Sequence, residues 1–372
     1  MRVLVVNSGS STLKLTLLSG EDNVLGHREL DTPRGTVEAR ALEAALGAAL
    51  LGDLAGAQAV GHRIMHGGER FDKAVRIDAK VRSSLHGLTN LAPLHQPRGL
   101  TALESIGDAL PELPAVACFD SAFHATVPAV ASTYPLPQRW RKRWGVRRYG
   151  FHGLSHAWVA QRVPELLGPA EDAEARIVSC HLGAGSSVCA IRGGRSLDTT
   201  MGFTPLDGLV MATRSGSLDP ALVLWLLERP GIDARELAQT LEHGSGLLAL
   251  GGSADMRLLL ERAEEGDADA RFALEVYIHR LRAGIASMTA SLGGLDVLAF
   301  TGGIGQNSAA IRRMAAADLG FLDVSIDHEL NERKQGDRDI SADGARVSTL
   351  VIDSREDLEM ARQVRSTLKR EA

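Results

Sequence analysis

Two stretches of the chain, VVNSGSSTLKL (Val5–Leu15) and VSCHLGAGSSVCAI (Val178–Ile191), carry one pattern: an apolar strand, a Gly/Ser turn and a second apolar strand. A β-rich segment at Val60–Ile64 leads into Gly67-Gly68, and further apolar runs predict strands at Ala115–Phe119, which ends on Asp120, and at Val297–Phe300, which runs into TGGIGQNS. Helical spacing fills the intervals. An alanine- and leucine-rich segment, Thr36–Leu51, predicts a helix, and Asp219-Pro220 predicts the start of another over Ala221–Glu228, with Pro at an early helical position. After Asp267, the residues Ile278, Leu281, Ile285, Met288 and Leu292 recur at steps of three and four, giving one continuous apolar stripe that reads as core. A helix follows at Ile311–Leu319. A last one begins after Ser354, with Asp357 in a near capping-box position and Leu358, Ala361, Val364 and Leu368 facing inward. Strands alternating with helices define an α/β protein.

Composition narrows the functional classes. A length of 372 residues suggests about two domains, each able to bury its own core. Aromatic residues make up 4%, too few for a platform that stacks single-stranded nucleic acid. The net charge is −5, from 41 basic and 46 acidic residues, and the one basic run, RWRKRWGVRR (Arg139–Arg148), reads as a solvated surface segment. Neither nucleic acid nor a membrane is an expected partner. Cys118, Cys180 and Cys189 are scattered, as buried thiols of a reducing cytosol would be. The opening apolar run stops at Asn7, too short for a signal peptide, and no segment reaches the length of a membrane span. A cytoplasmic protein is expected.

The repeated turns carry candidate chemistry. Small residues at Gly9, Ser10 and Ser11, and at Gly183, Gly185 and Ser186, let backbone N–H groups approach an anion closely, as around a polyphosphate. Ordinary β-hairpins favour the same residues, so either turn alone leaves both readings open. The pairs His62/His66 and His152/His156 are spaced as zinc ligands on a helix face would be. A metal-hydrolase reading is rejected, because the first pair precedes a double glycine and neither pair encloses a glutamate.

Seven motifs decide between these readings by their order: VGHRIMHGGERF, LAPLHQP, FDSAFH, RRYGFHGLSH, CHLGAGSS, DTTMGFTPLDGLVMATRSGSLDP and FTGGIGQNS. In this order they closely resemble the acetate kinases. The resemblance implies two duplicated actin-like (ribonuclease H-like) α/β domains with a nucleotide cleft between them, a discontinuous first domain of residues 1–120 plus 358–372, and a nucleotide-binding second domain of residues 121–357. It also implies ATP as co-substrate, Mg²⁺ (or Mn²⁺) as cofactor, acetate and acetyl phosphate as the other ligands, and a homodimer.

Carried over residue by residue, the resemblance assigns Arg63 and Arg214 to the acceptor carboxylate and the transferring phosphoryl group. His152 becomes a donor to the phosphoryl in the transition state, and Asp120 an acid that orients the arginine. Asn7 and Glu356 are placed beside the metal. His95 and His181 line the active site, and Met65, Leu94, Phe151 and Pro205 wall the acyl pocket. Ser11, Lys14, His181, Gly183, Gly185, Asp255, Arg257, Gly302, Gly303, Ile304 and Asn307 fall on the nucleotide side. The quieter roles for the same residues are a structural ion pair for Arg63 and Asp120, a helix-start acid for Glu356 and a turn cap for Asn7.

The chemistry fits these residue types independently. A carboxylate acceptor is already an anion at neutral pH and needs no general base. The obstacle is repulsion from an anionic phosphoryl group, which arginines, a histidine and a hard divalent cation offset. Departures from the family pattern cluster on the nucleotide side: Ala184, Ala212, Ala254, Met256 and Gln306 stand where asparagine, glycine, asparagine, phenylalanine and glutamate are usual. Met256 is expected to pack against a purine ring. Met65 stands where valine is usual, so acetate is expected to be preferred over propionate and butyrate. A propionate or butyrate kinase of the same family, a sugar kinase with Asp120 as base, and a nucleotide-driven switch protein are the competing readings.

Overall fold

The computed structural model describes residues 1–8, 12–31, 52, 54–91, 96–168, 174–334 and 336–371. The Gly9–Ser11 turn, the predicted helix at Thr36–Leu51, Leu94 and His95 lie outside these residues. The chain separates into two units, Met1–Ala125 with Arg355–Ala372, and Thr126–Ser354.

The first unit is built on six strands: β1 (Val3–Ser8), β2 (Thr12–Leu18), β3 (Val24–Asp31), β4 (Ala59–Ile64), β5 (Val75–Arg76) and β6 (Ala115–Phe119), in the spatial order β3-β2-β1-β4-β6-β5. β1, β2 and β3 form an antiparallel meander, β1, β4 and β6 run parallel, and β5 returns antiparallel to β6. The central strands are covered on both faces, which is why β1 opens as an unbroken apolar run, Val3 to Val6, with each residue at most 1% exposed. On one face the helix Gln96–Ala109 brings Ala102 and Ile106 against Leu4, Val6 and Val60. On the other lies the helix Glu356–Glu371. It approaches β4 so closely that a Cβ on Gly61 would stand 2.8 Å from Val364 Cγ2, so glycine at that position is a packing requirement.

That last helix differs in detail from its sequence reading. Its buried face is Glu359, Met360, Ala361, Val364 and Thr367, whereas Leu358 and Leu368 are half-buried. No reciprocal capping box forms: the Ser354 N–H donates to Gln306 Oε1 (2.9 Å), and Asp357 accepts from Arg355 Nε (2.9 Å).

The second unit repeats the first. Its strands β7 (Ile177–Leu182), β8 (Ser186–Arg192), β9 (Arg195–Thr199), β10 (Val297–Thr301), β11 (Arg338–Asp339) and β12 (Ser348–Val351) lie in the order β9-β8-β7-β10-β12-β11. Position by position this is the order of the first sheet, with the same parallel and antiparallel neighbours. Even the register shift in the meander recurs, at Leu17/Leu18 in β2 and at Ala190/Ile191 in β8. The long helix Ala268–Leu292 is capped by Asp267, whose side chain accepts from the Asp269 and Ala270 N–H groups, and it ends where Gly293 turns left-handed. Its stripe residues, Ile278, Leu281, Ile285, Met288 and Leu292, are all at most 4% exposed, and the helix packs against β7, β8 and β9.

The predicted helix at Ala221–Glu228 is found over Pro220–Leu227, with the Asp219 side chain accepting from the Ala221 N–H, and none of its residues is buried. The helix expected over Ile311–Leu319 runs instead from Ala309 to Ala316. The basic run includes the short helix Gln138–Trp144, which has no buried residue and stacks Arg139 and Arg143 on Trp140 and Trp144. All three cysteines are free and buried, and burial pushes the Cys189 thiol up to about 12. Among the described residues no helix is long and apolar enough to cross a membrane.

Candidate active site

In each unit the polar side chains singled out from the sequence gather where parallel strands end, at their C-terminal edge, the usual place for ligand sites in sheets of this kind. In the first unit, Asn7 stands near the end of β1, Arg63 near the end of β4, and Asp120 directly after β6. Arg63 is gripped from two sides. Its Nε donates to both Asp120 oxygens (3.2 and 3.1 Å) and its Nη2 to Asp120 Oδ2 (2.6 Å). Its Nη1 donates to Asn7 Oδ1 (2.9 Å) and lies 3.5 Å from Glu356 Oε2, which in turn accepts from Asn7 Nδ2 (3.2 Å).

Burial alone would disfavour the Arg63 charge, yet Asp120 and Glu356 outweigh it and raise the guanidinium pKa. Burial raises the pKa of Asp120, which has no exposed surface, and Glu356 adds to that rise; the Arg63 charge and its hydrogen bonds oppose it. Accepting three N–H contacts from the guanidinium, Asp120 is held as a carboxylate, and removing either partner of such a pair costs about 3–5 kcal/mol. Arg63 is thus a cation fixed in advance, with its side chain only 14% exposed.

In the second unit the turn between β7 and β8 is the centre. Gly185 has His152 Nε2 and Arg214 Nη1 beside it: a Cβ there would lie 3.2 Å from the first and 3.3 Å from the second. His181 is paired at Nδ1 with Ser155 Oγ (2.8 Å), its Nε2 lies 3.8 Å from where a Gly183 Cβ would be, and its ring centroid is 4.3 Å from that of His152. One imidazole and one guanidinium therefore converge on the Gly185 turn, with a second imidazole alongside. The nest expected at this turn is smaller than the sequence suggests, because the Gly183 N–H is spent on the Gly185 carbonyl (3.1 Å). The Arg214 loop is tied to the same turn by Ala212 N–H donating to Ala184 O (3.1 Å), and Arg214 Nε is paired with Glu242 Oε2 at 3.0 Å.

His152 sits in the left-handed region (φ 56°, ψ 25°) immediately before the helix Gly153–Leu167, a conformation that only two other described non-glycine residues share. Its Nδ1 lies 3.0 Å from Ser187 Oγ, and His156 Nε2 lies 2.8 Å from the same oxygen. The four-residue histidine spacing in RRYGFHGLSH thus aims both rings at one serine.

The remaining predicted residues divide. Gly302, at φ 78°, packs against the end of β7, where a Cβ would stand 2.7 Å from Leu182 O, while a Cβ on Gly303 would meet nothing within 4 Å. Ile304 and Asn307 follow on the short helix Gly302–Asn307, in which Asn307 Nδ2 donates to Gly303 O (2.9 Å). Asp255 caps the helix Met256–Glu264 and pairs with Arg257 (2.8 Å), an exposed couple. Met256 is 5% exposed and belongs to the apolar core of the second unit, which corrects its expected place against a purine ring: in the first turn after the cap its side chain is the one turned toward the core. Lys14 is half-exposed beside Glu29 at 3.6 Å. Phe151 and Pro205 are buried in the second unit and Met65 is half-buried in the first. Ser11, Leu94 and His95 lie outside the described residues.

Sequence reasoning missed Glu242, Ser155, Ser179 and Ser187. Glu242 lies in an ordinary helical pattern, and the serines interrupt apolar runs as many strand serines do. The one available signal was the histidine pair four residues apart.

The profile of the acetokinase family matches residues 39–362. The chain belongs to this family. It is therefore a phosphotransferase, a kinase that transfers phosphate to a carboxylate. The chain is 45% identical to an acetate kinase from Nostoc sp. over 322 residues (86% of this chain, 79% of that one), and 42% identical to one from Deinococcus deserti over 395 residues (99% and 98%). Its structure is similar to that of Porphyromonas gingivalis acetate kinase, with a TM-score of 0.88 at 33% identity over 99% of both chains. It is similar also to a propionate kinase from Francisella tularensis, with a TM-score of 0.91 at 32% identity over 98% of this chain and 99% of that one. The duplicated sheets are the two similar α/β domains expected from the sequence.

The Gly185 geometry gives a direct expectation. Gly185→Ala puts a methyl group against His152 Nε2 and Arg214 Nη1 without demanding a left-handed backbone, so the variant should fold with the wild-type melting profile and lose about 10²–10³ in kcat. Turnover within a factor of three of wild type would show that the space beside these two groups is not where the reaction takes place.

Proposed function

We propose that this chain is an acetate kinase, catalysing reversible transfer of the ATP γ-phosphoryl group to acetate, with acetyl phosphate and ADP as products, by direct in-line displacement without a phosphoenzyme. The observation that carries the reading is the convergence of His152 Nε2 and Arg214 Nη1 on the Gly185 turn. Acetate brings its own negative charge, so no group needs to remove a proton. What the protein must supply is positive charge and hydrogen-bond donors held in place before the reactants arrive, since fixed groups pay no reorganisation at the moment of transfer.

Arg63 and Arg214 divide that task. Each guanidinium is paired with a carboxylate, Asp120 or Glu242, and its planar fork suits bidentate contact with a carboxylate or a phosphoryl oxygen. His152 donates from Nε2 to the equatorial oxygens of the phosphoryl in flight, and His181 supports the phosphate from the neighbouring ring. Gly302, Gly303 and Ile304 give the nucleotide a close backbone approach, with Asn307 on the same turn; Ser11, Lys14, Gly183, Asp255 and Arg257 complete the nucleotide side.

The oxygen donors at Asn7 and Glu356 fit Mg²⁺, a hard cation that keeps several waters and shares its ligands with substrate phosphates. Asn7 Nδ2 donates to Glu356 Oε2 (3.2 Å), so the two side chains stand side by side, and their oxygens would be the groups that hold a hydrated ion. When bound with the nucleotide, such an ion neutralises phosphate charge.

A propionate kinase is the second reading, favoured by the likeness to the Francisella structure. Met65 argues against it: a methionine stands where valine is usual, and the longer side chain leaves less room for an acyl tail larger than that of acetate. The partner we assign is a second copy of the chain. The stripe of the long helix is consumed by its own core, but the helix Pro220–Leu227 leaves Leu224 65% and Trp225 51% exposed, an apolar face of the kind that marks an association site. Buried free thiols suit the cytoplasm.

Replacing Arg63 or Arg214 with alanine should lower kcat by about 10²–10³, read as acetyl hydroxamate formed in the presence of ATP and hydroxylamine. Near-normal turnover by either variant would contradict the assignment. Acceptor choice has its own outcome: kcat/KM for acetate should exceed that for propionate by a factor of about ten, the effect of roughly one methylene in an apolar pocket, with butyrate poorer still. Equal or greater efficiency with propionate would favour the second reading.

A further inference from the structure

Behind His152 lies a chain of hydrogen bonds that reaches no solvent. Ser187 Oγ is 3.0 Å from His152 Nδ1 and 2.8 Å from His156 Nε2, and His156 Nδ1 is 2.9 Å from Ser179 Oγ. Ser179, Ser187 and His156 each have no exposed surface. The geometry points to a one-way relay in which Ser179 and Ser187, acting through His156, fix the proton of His152 on Nε2; Ser179 and Ser187 are positioning residues.

Proton counting supplies the direction. A serine hydroxyl has one proton, so Ser187, set between two ring nitrogens, donates to one and accepts from the other. Two polarities satisfy it. In the first, Ser179 O–H donates to His156 Nδ1, His156 Nε2–H donates to Ser187 Oγ, and Ser187 O–H donates to His152 Nδ1, leaving the His152 proton on Nε2. In the second, every bond is reversed: His152 Nδ1–H donates to Ser187, Ser187 to His156 Nε2, and His156 Nδ1–H to Ser179.

Ser179 distinguishes them. Among the described residues its hydroxyl has His156 as its one hydrogen-bond partner. The reversed polarity would make Ser179 an acceptor only and leave its buried O–H without an acceptor, which folded proteins avoid. The first polarity satisfies every group in the chain.

The consequence falls at the Gly185 turn. With the proton on Nε2, a neutral His152 presents a donor on the side where Arg214 Nη1 also stands. With the proton on Nδ1, the same atom presents a lone pair, which repels phosphoryl oxygens. The relay thus makes His152 a donor without making it a cation. The value of this for catalysis rests on the kinase reading above; the placement of the proton does not.

The test is long-range proton–nitrogen NMR on the full chain carrying ¹⁵N-histidine, with His152 assigned by its loss in His152→Gln. Near pH 8 the wild type should show His152 as the neutral Nε2–H form, and a wild-type signal from the Nδ1–H form or from the imidazolium overturns the relay outright. In Ser179→Ala, which removes the group that sets polarity three hydrogen bonds away, His152 should become a mixture of the two neutral forms. kcat should fall at least about threefold while KM for acetate and ATP stays within a factor of two. Ser187→Ala should lose the preference altogether, with kcat lower by about tenfold or more. If both variants melt like wild type and keep the pure Nε2–H signal, the relay does not set the proton. A wild-type Nε2–H signal in a protein that makes no acetyl phosphate would leave the relay standing and remove the kinase reading.

Discussion

Like charges must meet in this chemistry, and in the function we propose the two polar clusters answer that constraint. A carboxylate and a terminal phosphate repel each other over the distance at which a bond can form, and water screens the repulsion only by staying in the way. The chain meets this with cations that cannot wander. Arg63 is fixed by the bidentate Asp120 and by Asn7, and Arg214 is ion-paired with Glu242, so in the proposed reaction neither side chain would have to be ordered from free solution. Burying a guanidinium is costly unless it is paired, and the pairing that stabilises it is also what aims it.

The duplicated sheet explains where these groups come from. In both units the central parallel strands stop at a common edge, so residues far apart in sequence are delivered side by side: Asn7, Arg63 and Asp120 in one, His181 and Gly302 in the other. The two edges are used differently. In the first, the strand ends carry charge and the last helix of the chain adds Glu356. In the second, the strand ends carry small residues and imidazoles, and charge enters from the Arg214 loop, itself tied by backbone hydrogen bonds to the turn it serves.

How much of this could be read from the sequence follows from how local each feature is. The strand at Ala115–Phe119 was legible because a buried central strand can be a continuous apolar run, and the long helix because its stripe is a local periodicity. The C-terminal capping box was misread because the competing partners, Gln306 for the Ser354 N–H and Arg355 for Asp357, are chosen by tertiary structure and near-neighbour geometry rather than by the motif. Met256 was misread because its direction depends on which face of its helix meets the core. Glu242 and the serines behind His152 were invisible for a related reason: a glutamate in a helix and a serine in a strand acquire meaning only through what stands opposite them.

In the proposed reaction fixed positive charge, not proton removal, lowers the barrier. The most direct test is the affinity of the protein for a planar metal-fluoride mimic of the phosphoryl group, measured with ADP and acetate present, in wild type, Arg214→Lys and Arg214→Gln. The account predicts that the lysine variant retains measurable affinity and that the uncharged glutamine variant loses at least about a hundredfold. Equal affinity in all three proteins would contradict it.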